Sequence, residues 1–162
     1  MIMIRAANPA DQETLGRLGA ALMRQHHAAD PRRFLMIEDA EDGYGRFLVS
    51  QLKNPKSQVL VAEERGAVVG YVFADVEMTD WMKLRGPCGV VQDLYVDDSV
   101  RRRGVGGMLL SSAIMWINMQ GHSQVVLMTK DGNENAQRLF KSVGFRPTMV
   151  EMTLDAEPDA ED

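Results

Sequence analysis

Residues 88–129 restrict the fold of this chain more than any other segment. A valine-rich run, CGVVQDLYV, precedes a basic glycine-rich turn, then a helical pattern with apolar residues on one side, then a second β-type run, QVVLMT. A strand, a helix and a strand in this order form a crossover unit, in which the two strands run parallel. Ligands of such units bind at the carboxyl ends of the strands. The turn between the first strand and the helix is therefore a candidate binding site.

The N-terminal third is predicted to hold one strand and two helices. Residues 1–7, MIMIRAA, have the composition of a short strand. Asn8 followed by Pro9 is typical of a helix start, because the Asn side chain can cap the helix and proline suits its first turn. A second helix is predicted over residues 44–53, ending at the sequence NPKS.

The remaining elements surround the crossover unit. Valine-rich residues 58–64 and 67–77 are predicted to form a β-hairpin with its turn at Arg65-Gly66. A helix is predicted within residues 133–145, ended by Gly144, and a last strand over residues 148–154, TMVEMTL.

Charge separates the end of the chain from its body. The net charge is −5, but the last eight residues, DAEPDAED, carry five acids and no base, so the rest has 18 acids and 18 bases. We predict one domain over residues 1–154 and an acidic, disordered tail over residues 155–162. A neutral body argues against a nucleic-acid partner. The single cysteine, Cys88, and the lack of a signal or membrane-length apolar run predict a cytoplasmic protein with no membrane partner.

The glycine-rich turn combines three arginines with three glycines, namely Arg101, Arg102, Arg103, Gly104, Gly106 and Gly107. Glycine lets a ligand approach the backbone, and the first turn of a helix offers unpaired N–H groups that attract anions. Arginine adds forked donors that suit phosphate oxygens. The turn lacks the Lys-Ser/Thr of a P-loop and the third glycine of a dinucleotide fingerprint. A solvated arginine run before a helix is the alternative.

Two motifs in the right order resemble the GNAT superfamily of acetyl-CoA-dependent N-acetyltransferases. The pyrophosphate-loop pattern R/Q-x-x-G-x-G/A matches residues 101–106, and the hydrophobic-x-Val step before it matches residues 94–96. The helix pattern N-x-x-A-x-x-L-Y-x-x-x-G-F matches residues 133–145, with Phe140 in place of the tyrosine. The resemblance extends from the first strand to about Leu154.

The resemblance implies an α/β (α+β) fold. Its sheet would be mixed, mostly antiparallel and twisted, with helices on both faces. The fourth and fifth strands would run parallel and splay apart, and acetyl-CoA, the expected co-substrate, would lie in the gap.

The resemblance also implies the cofactor contacts. Backbone groups of Leu94 and Val96 would pair with the pantetheine arm, and the amides of residues 101–106 would hold the pyrophosphate. Asn133 would hydrogen-bond the cofactor, or simply cap its helix. Phe140 would lie against the thioester. The full set of expected cofactor-binding residues is Leu94, Tyr95, Val96, Arg101, Arg102, Arg103, Gly104, Val105, Gly106, Gly107, Asn133, Ala136 and Phe140.

Three positions carry the expected chemistry. The backbone N–H near Val96 would polarise the thioester carbonyl. Strand alternation places Val90, Gln92 and Leu94 on one face and Val91, Asp93 and Tyr95 on the other. Gln92 stands where polyamine acetyltransferases carry an acid, and it cannot accept a proton. Asp93 is the nearest carboxylate, and a bulge in the strand could turn it inward as the base. Alternatively, Asp93 makes only a structural hydrogen bond, or a chain of water molecules acts as the base. Phe140 occupies the position of the usual tyrosine acid, so the thiolate leaves unassisted or with another group's proton.

The resemblance therefore implies transfer of an acetyl group from acetyl-CoA to a primary amine of a small molecule or peptide. A module or sensor that binds acetyl-CoA or CoA with little catalysis is the alternative. Acids within residues 38–42 could attract a cationic amine or favour a helix start. The histidines have no metal-ligand spacing, so no metal is expected. We leave a homodimer open.

Overall fold

A computed structural model describes residues 1–156 of the chain. Its strands are β1 (Ile2–Ala6), β2 (Ser57–Glu64), β3 (Ala67–Glu77), β4 (Cys88–Val96) and β5 (Val125–Leu127). Its α-helices are α1 (Gln12–Ala29), α2 (Ala40–Ser50), α3 (Val105–Met119) and α4 (Glu134–Val143). Within residues 1–156 no helix is both long and apolar enough to cross a membrane.

The five strands form one sheet in sequence order, which confirms the predicted mixed topology. Neighbouring strands are antiparallel except β4 and β5, which are parallel. The pairing of β5 with β4 covers only Gly89, Val90 and Val91. From Gln92 onward β4 has no strand on that side among the described residues, so the two parallel strands separate as expected.

Helices cover both faces of the sheet, also as predicted. On one face α3 packs on the sheet through fully buried Leu109, Leu110 and Ile117. On the other face α1 and α2 bury Leu15 and Leu48. The remaining buried core residues of the first cluster are Leu60, Ala62, Val72, Ala74, Val91, Val100, Val105 and Ala113, and those of the second are Leu18, Val59, Val61, Tyr71 and Phe73.

The second helix begins earlier than predicted. It starts at Ala40 rather than at residue 44, and a 3₁₀ turn, Gln51–Lys53, completes it. Glu41 and Asp42 lie in its first turn, where carboxylates favour the positive end of the helix dipole.

The predicted strand over residues 148–154 is wrong. The fifth strand, Val125–Leu127, is shorter than its predicted range of 124–129. Residues 148–154 are irregular and pair with no strand in the part of the chain that the structure describes. A β-type pattern forms a strand only where a partner backbone is adjacent. Of the predicted tail, residues 157–162 lie outside the described residues, and Asp155 contacts Arg32 at 3.2 Å.

Glycines let α1 and α2 touch backbone to backbone. A Cβ on Gly16 would lie 2.1 Å from the carbonyl oxygen of Glu41, and one on Gly45 would lie 2.6 Å from that of Gln12. A flexible side chain could move away from such a contact, but a helix backbone cannot do so without separating the helices. The α1–α2 pair therefore depends on these two positions having no side chain.

Gly16→Ala should lower the free energy of unfolding by about 1–3 kcal/mol, the usual cost of overpacking. Gly43→Ala, also in this helix pair, is the matched control, since a Cβ at Gly43 meets nothing within 4 Å. It should raise stability by about 0.4–1 kcal/mol by restricting the unfolded chain. Urea denaturation of both variants checks the prediction, and equal effects would contradict the backbone contact.

Candidate functional site

A β-bulge at Gln92 corrects the predicted alternation of β4. Asp93 lies opposite Phe73 and Val91 lies opposite Ala74, so Gln92 is an extra residue. Val91 packs in the core on the α3 face, whereas Asp93 contacts Tyr71, which belongs to the core on the α1 face. The expectation that Val91 and Asp93 share a face is therefore wrong, because one inserted residue reverses the alternation along a strand.

Beyond the bulge, one edge of β4 faces the gap left by β5. The N–H of Asp97 donates to the carbonyl of Val69 at 2.8 Å, so Asp97 points toward the β3 side. Backbone direction alternates along a strand, which directs Tyr95 to the same side and Leu94 and Val96 to the opposite side. The backbone N–H and C=O groups of Leu94 and Val96 thus point into the gap, next to the carboxyl end of the β4–β5 pairing. The Val96 carbonyl accepts there from Arg101 Nε at 3.3 Å.

The basic turn leads into a helix start that has no side-chain cap. Arg102 (φ 63°) and Gly104 (φ 77°) are both left-handed. The first hydrogen bond of α3 runs from the N–H of Met108 to the carbonyl of Gly104 at 3.1 Å, and no side chain caps the helix. The N–H groups of the first turn, from Val105 to Gly107, therefore have no acceptor within the helix. Together with the left-handed residues, they form a concave set of donors suited to an anion.

Two of the three arginines already have acidic partners. Arg103 makes a forked contact with Glu64, with N···O distances of 3.0 and 2.5 Å. Arg101 pairs with Asp98 at 2.8 Å, and its guanidinium lies 5.7 Å from the ring centre of Tyr95. For Arg102 no ion pair is found within residues 1–156. An anion at this turn would therefore meet Arg102 and the helix amides first.

Helix α4 closes on the same turn. A Cβ on Gly106 would lie 3.2 Å from the side chain of Leu139 and 3.8 Å from that of Val96, so Gly106 stands where β4, α3 and α4 converge. Phe140, the residue after Leu139, is half-buried and packs edge-on against Phe145, with ring centres 6.1 Å apart.

Asn133 caps α4, the alternative that the sequence left open. Its side-chain oxygen accepts from the N–H of Ala136 at 3.2 Å. A shallow cleft of about 200 Å³ adjoins it, lined also by His26 of α1 and by Lys130. The side-chain N–H₂ of Asn133 makes no hydrogen bond within the described chain, so capping the helix leaves a donor available.

Asp93 is a partly buried carboxyl hydrogen-bonded to a tyrosine. The hydroxyl of the fully buried Tyr71 donates to Asp93 Oδ2 at 3.0 Å. Burial raises the pKa of Asp93 to about 6, against a smaller lowering effect of the Tyr71 hydrogen bond. Burial and the Asp93 charge in turn raise the pKa of Tyr71, and the same two causes raise that of Tyr44. Asp93 thus makes a structural hydrogen bond, which was the alternative to a role as base. Its pKa nevertheless also suits a base near neutral pH.

Two acidic residues of β3, Asp75 and Glu77, were not predicted as site residues. The Nε2 of Gln92 donates to Asp75 Oδ1 at 3.1 Å and to Glu77 Oε1 at 3.2 Å, and burial raises the pKa of Asp75. Arg85 forms an ion pair with Glu77. The alternation of acidic and apolar residues at the end of β3 could have indicated one polar face. Their contact with Gln92, however, depends on the bulge.

The acidic segment at residues 38–42 is partly neutralised. Glu41 pairs with Arg24 at 3.0 Å, and Asp42 pairs with Arg46 in the next turn of α2. Within residues 1–156 no group of three or more His, Cys, Asp or Glu side chains is arranged to hold a metal ion.

Asp93→Asn should stabilise the protein in a pH-dependent manner. A carboxyl whose pKa is raised on folding, from 3.8 to about 6, destabilises the fold progressively as pH rises from about 4 to 6, and by a constant amount above that. Asparagine does not ionise, and its oxygen can still accept from Tyr71. The gain over wild type should be near zero at pH 4 and at most about 3 kcal/mol above pH 7, at about 1.4 kcal/mol per pKa unit.

Denaturant unfolding between pH 4 and 8 measures this gain. Glu38→Gln is the control for loss of an exposed carboxylate and should give no such profile. A gain for Asp93→Asn that is equal at pH 4 and pH 7 would mean that Asp93 does not ionise at a cost in the folded protein.

Comparison with known proteins agrees with this geometry. The model of the acetyltransferase (GNAT) family matches residues 18–145. The chain is 29% identical to the uncharacterized N-acetyltransferase YhfO of Bacillus subtilis, over 88% of both chains.

Solved structures share the fold. The tetramutant of the BH1408 protein from Bacillus halodurans superposes with a TM-score of 0.82 at 24% identity, covering 95% of this chain and 99% of that one. A predicted acetyltransferase from Clostridium acetobutylicum, solved with acetyl-CoA, gives a TM-score of 0.70 at 16% identity over 96% of both chains. Because the family model covers most of the chain, including the basic turn and α4, the protein belongs to the acetyltransferase (GNAT) family and is an acyltransferase.

Proposed function

We propose that the protein transfers the acetyl group of acetyl-CoA to a primary amine of a small molecule or peptide. The observation that carries the proposal is the start of α3, which no side chain caps, beside the edge of β4 that no strand of the described chain covers beyond Val91. A pyrophosphate needs the donors of the first, and an extended amide-bearing chain such as pantetheine needs those of the second. The two donor sets are adjacent, since a Cβ on Gly106 of the first would lie 3.8 Å from Val96 of the second.

The cofactor would run along the gap between β4 and β5. Its pantetheine amides would pair with Leu94 and Val96 as an added strand, and its pyrophosphate would accept from the amides of residues 101–107 and from Arg102. The free amide N–H₂ of Asn133 and the side chain of Phe140 would then face the cofactor from α4. The complex of the Clostridium acetobutylicum protein with acetyl-CoA supports this choice of ligand.

Asp93 is our candidate for the base. Acetyl transfer needs a neutral amine, so a proton must leave the ammonium form before or during attack. Asp93 has a pKa of about 6 and lies two residues before Tyr95 on the strand that borders the gap. The bonded Tyr71 hydroxyl would hold the carboxylate in place. A backbone N–H of β4 near Val96, one that the pantetheine amides leave free, would polarise the thioester carbonyl as negative charge develops on it.

The acceptor amine would approach from the α1 face, where Asp93, Asp75 and Glu77 lie. These carboxylates favour a cationic amine over an acidic one. A single cysteine forms no disulfide within the chain, which supports a cytoplasmic location.

A panel of primary amines with detection of released CoA thiol tests the activity. We expect one or more cationic amines to release thiol from acetyl-CoA, and we expect acetyl-CoA to raise the melting temperature more than ATP does. ATP shares the phosphates and lacks the pantetheine arm, so equal shifts would refute the pantetheine assignment. Binding without thiol release from any amine would favour a CoA-binding module instead.

Gly104→Glu should abolish acetyl-CoA binding in a folded protein. Neither Gly104 nor Gly66, at the β2–β3 turn, has an atom within 4 Å of an added Cβ, and both are left-handed, so Gly66→Glu carries a matched backbone cost. A carboxylate about 4 Å from the pyrophosphate would repel it by several kcal/mol. Calorimetry should show at least about a hundredfold weaker binding for Gly104→Glu only; equal affinities for both variants would mean that the turn is not the phosphate site.

Phe140→Tyr should raise turnover with little change in acetyl-CoA affinity. The new hydroxyl would supply a proton to the departing thiolate, and general acid catalysis contributes roughly 10²–10⁴-fold where proton transfer limits the rate. Phe145→Tyr adds the same hydroxyl to the neighbouring ring and should not raise turnover. Turnover against pH for the three proteins decides; a stable, cofactor-binding Phe140→Tyr with wild-type rates throughout contradicts the placement of Phe140 beside the sulfur.

A further inference from the structure

The proposed acetyl transfer leaves one proton without a donor. The thiolate that departs from acetyl-CoA leaves more readily when an acid protonates it as the C–S bond breaks. Phe140 has no proton to give at the position where the resemblance expects a tyrosine. The remaining candidates are the tyrosines near Asp93 and the titratable side chains of the cleft beside Asn133.

The three tyrosines are poorly suited to this task. The hydroxyl of Tyr71 already donates its proton to Asp93. Burial and the charge of Asp93 raise the pKa of Tyr44, so it is a weaker acid than an ordinary phenol. The ring of Tyr95 lies 5.7 Å from the guanidinium of Arg101, at the basic turn rather than beside the thioester. The cleft therefore has to supply the acid.

The cleft beside Asn133 crosses the gap between β4 and β5. One wall belongs to the loop after β5, residues 130–133, and the other to the last turns of α1, through Gln25, His26 and Ala29. Helix α1 packs against β3 and β4, so the cleft lies at the carboxyl ends of the two parallel strands. A ligand of a crossover unit binds at that position. His26 thus faces the proposed thioester region from α1, as Asn133 does from α4.

Two contacts fix the imidazole of His26. Its Nδ1 lies 2.9 Å from the carbonyl oxygen of Leu22, and its ring packs edge-on against Phe34 with ring centres 4.9 Å apart. A carbonyl oxygen only accepts, so Nδ1 carries a hydrogen and Nε2 is the nitrogen that gains or loses a proton. Nε2 makes no hydrogen bond within residues 1–156 and is not fully buried. A ligand in the cleft can therefore reach it.

Charged groups approach this imidazole from β4, from the loop after β5 and from the end of α1. Burial raises the pKa of Asp93 on β4, whereas its tyrosine hydrogen bond and the positive charge of His26 lower it, so the two side chains lie close enough to attract each other. Lys130 lines the opposite wall of the cleft, and its Nζ donates to a carbonyl of its own loop at 2.9 Å. Asp30 ends α1 one turn after His26. Histidine changes its charge near neutral pH, so it can both bind and release a proton there.

We propose that His26 is a catalytic residue, which gives a proton from Nε2 to the sulfur of CoA as the thiolate departs. The inference rests on the proposed acetyl transfer. It places the acid on α1 instead of α4, on the other wall of the same cleft. A chain with Phe140 in place of the tyrosine then still has an acid beside the leaving group.

The protons balance with Asp93 as the base. The amine nitrogen forms a bond to the acetyl carbon, and Asp93 takes the proton that this nitrogen loses. The C–S bond breaks with its electron pair moving to sulfur, and the protonated Nε2 of His26 gives its proton to that sulfur. Asp93 then releases one proton to water and His26 takes one from water, which restores both side chains.

His26→Asn removes the proton donor and keeps the contact that fixes the ring, because the asparagine N–H₂ can still donate to Leu22. His27→Asn is the matched control: it changes the same residue type in the same turn, where Nδ1 of His27 lies 2.7 Å from the carbonyl oxygen of Phe34, outside the cleft. Turnover of a reactive amine should fall roughly 100-fold or more for His26→Asn only. Acetyl-CoA affinity, measured by calorimetry, should stay near wild type for both. Wild-type turnover of His26→Asn overturns the proposal.

A double variant separates an acid from a residue that only shapes the cleft. Phe140→Tyr supplies a proton to the same sulfur, so its gain in turnover should be at least about tenfold larger in His26→Asn than in the wild-type background. Loss of a structural residue would not be compensated by a phenol on another helix. Equal gains in the two backgrounds overturn the acid role of His26.

The ultraviolet absorbance of the thiolate of bound CoA tests the same contact without any amine. An imidazolium beside the sulfur stabilises the thiolate. CoA bound to the wild type or to His27→Asn should therefore ionise at least about one pH unit lower than CoA bound to His26→Asn. Identical ionisation in the three proteins overturns the proposal.

The role of His26 and the proposed acetyl transfer fail separately. Thiolate ionisation that depends on His26, with no amine acetylated, would support the contact between Nε2 and sulfur and contradict the transfer. Acetylation of an amine, with turnover and thiolate ionisation unchanged in His26→Asn, would support the transfer and overturn the role of His26.

Discussion

The extra residue at Gln92 controls the geometry on which the site depends. The last pair between β4 and β5 is at Val91, and the bulge follows immediately. Beyond it, β4 continues beside β3 but has no described partner on the other side, so its backbone groups point into a gap. The same insertion places Asp93 on the α1 face, beside Tyr71. The bulge thus coincides with the point where β5 leaves β4. It also places Asp93 on the face opposite Val91, although simple alternation assigns both residues to one face.

The start of α3 gives up local stability in favour of an exposed set of donors. Asn133 caps α4 and Asn8 caps the turn that leads into α1, whereas Gly104 has no side chain to cap α3. A capping Ser or Asp in place of glycine would typically stabilise a helix by roughly a few tenths of a kcal/mol, and it would also occupy the amides that an anion needs. Gly106 serves packing at the same place, because it lets Leu139 of α4 approach the turn.

The ionised carboxyl of Asp93 also lowers the stability of the folded protein. A carboxyl whose pKa rises to about 6 on folding destabilises the folded state at neutral pH. Proteins keep such groups mainly where they act chemically, since a neutral side chain would be more stable.

Local pattern alone determined most of the elements. The alternation of valines predicted β2, β3 and β4 with nearly the observed bounds, since strand alternation and the Arg65-Gly66 turn depend on neighbouring residues only. The crossover unit predicted the parallel pair, and the basic turn with the Asn133 helix predicted the family. The tertiary structure decided what depends on distant contacts. The bulge requires the β3–β4 register, and the Tyr71–Asp93 hydrogen bond requires that two residues 22 apart in sequence meet. The strand pattern of residues 148–154 has no partner backbone within the described chain. Such contacts depend on which segments of the chain lie next to each other in the fold, and a local sequence pattern does not determine those neighbours.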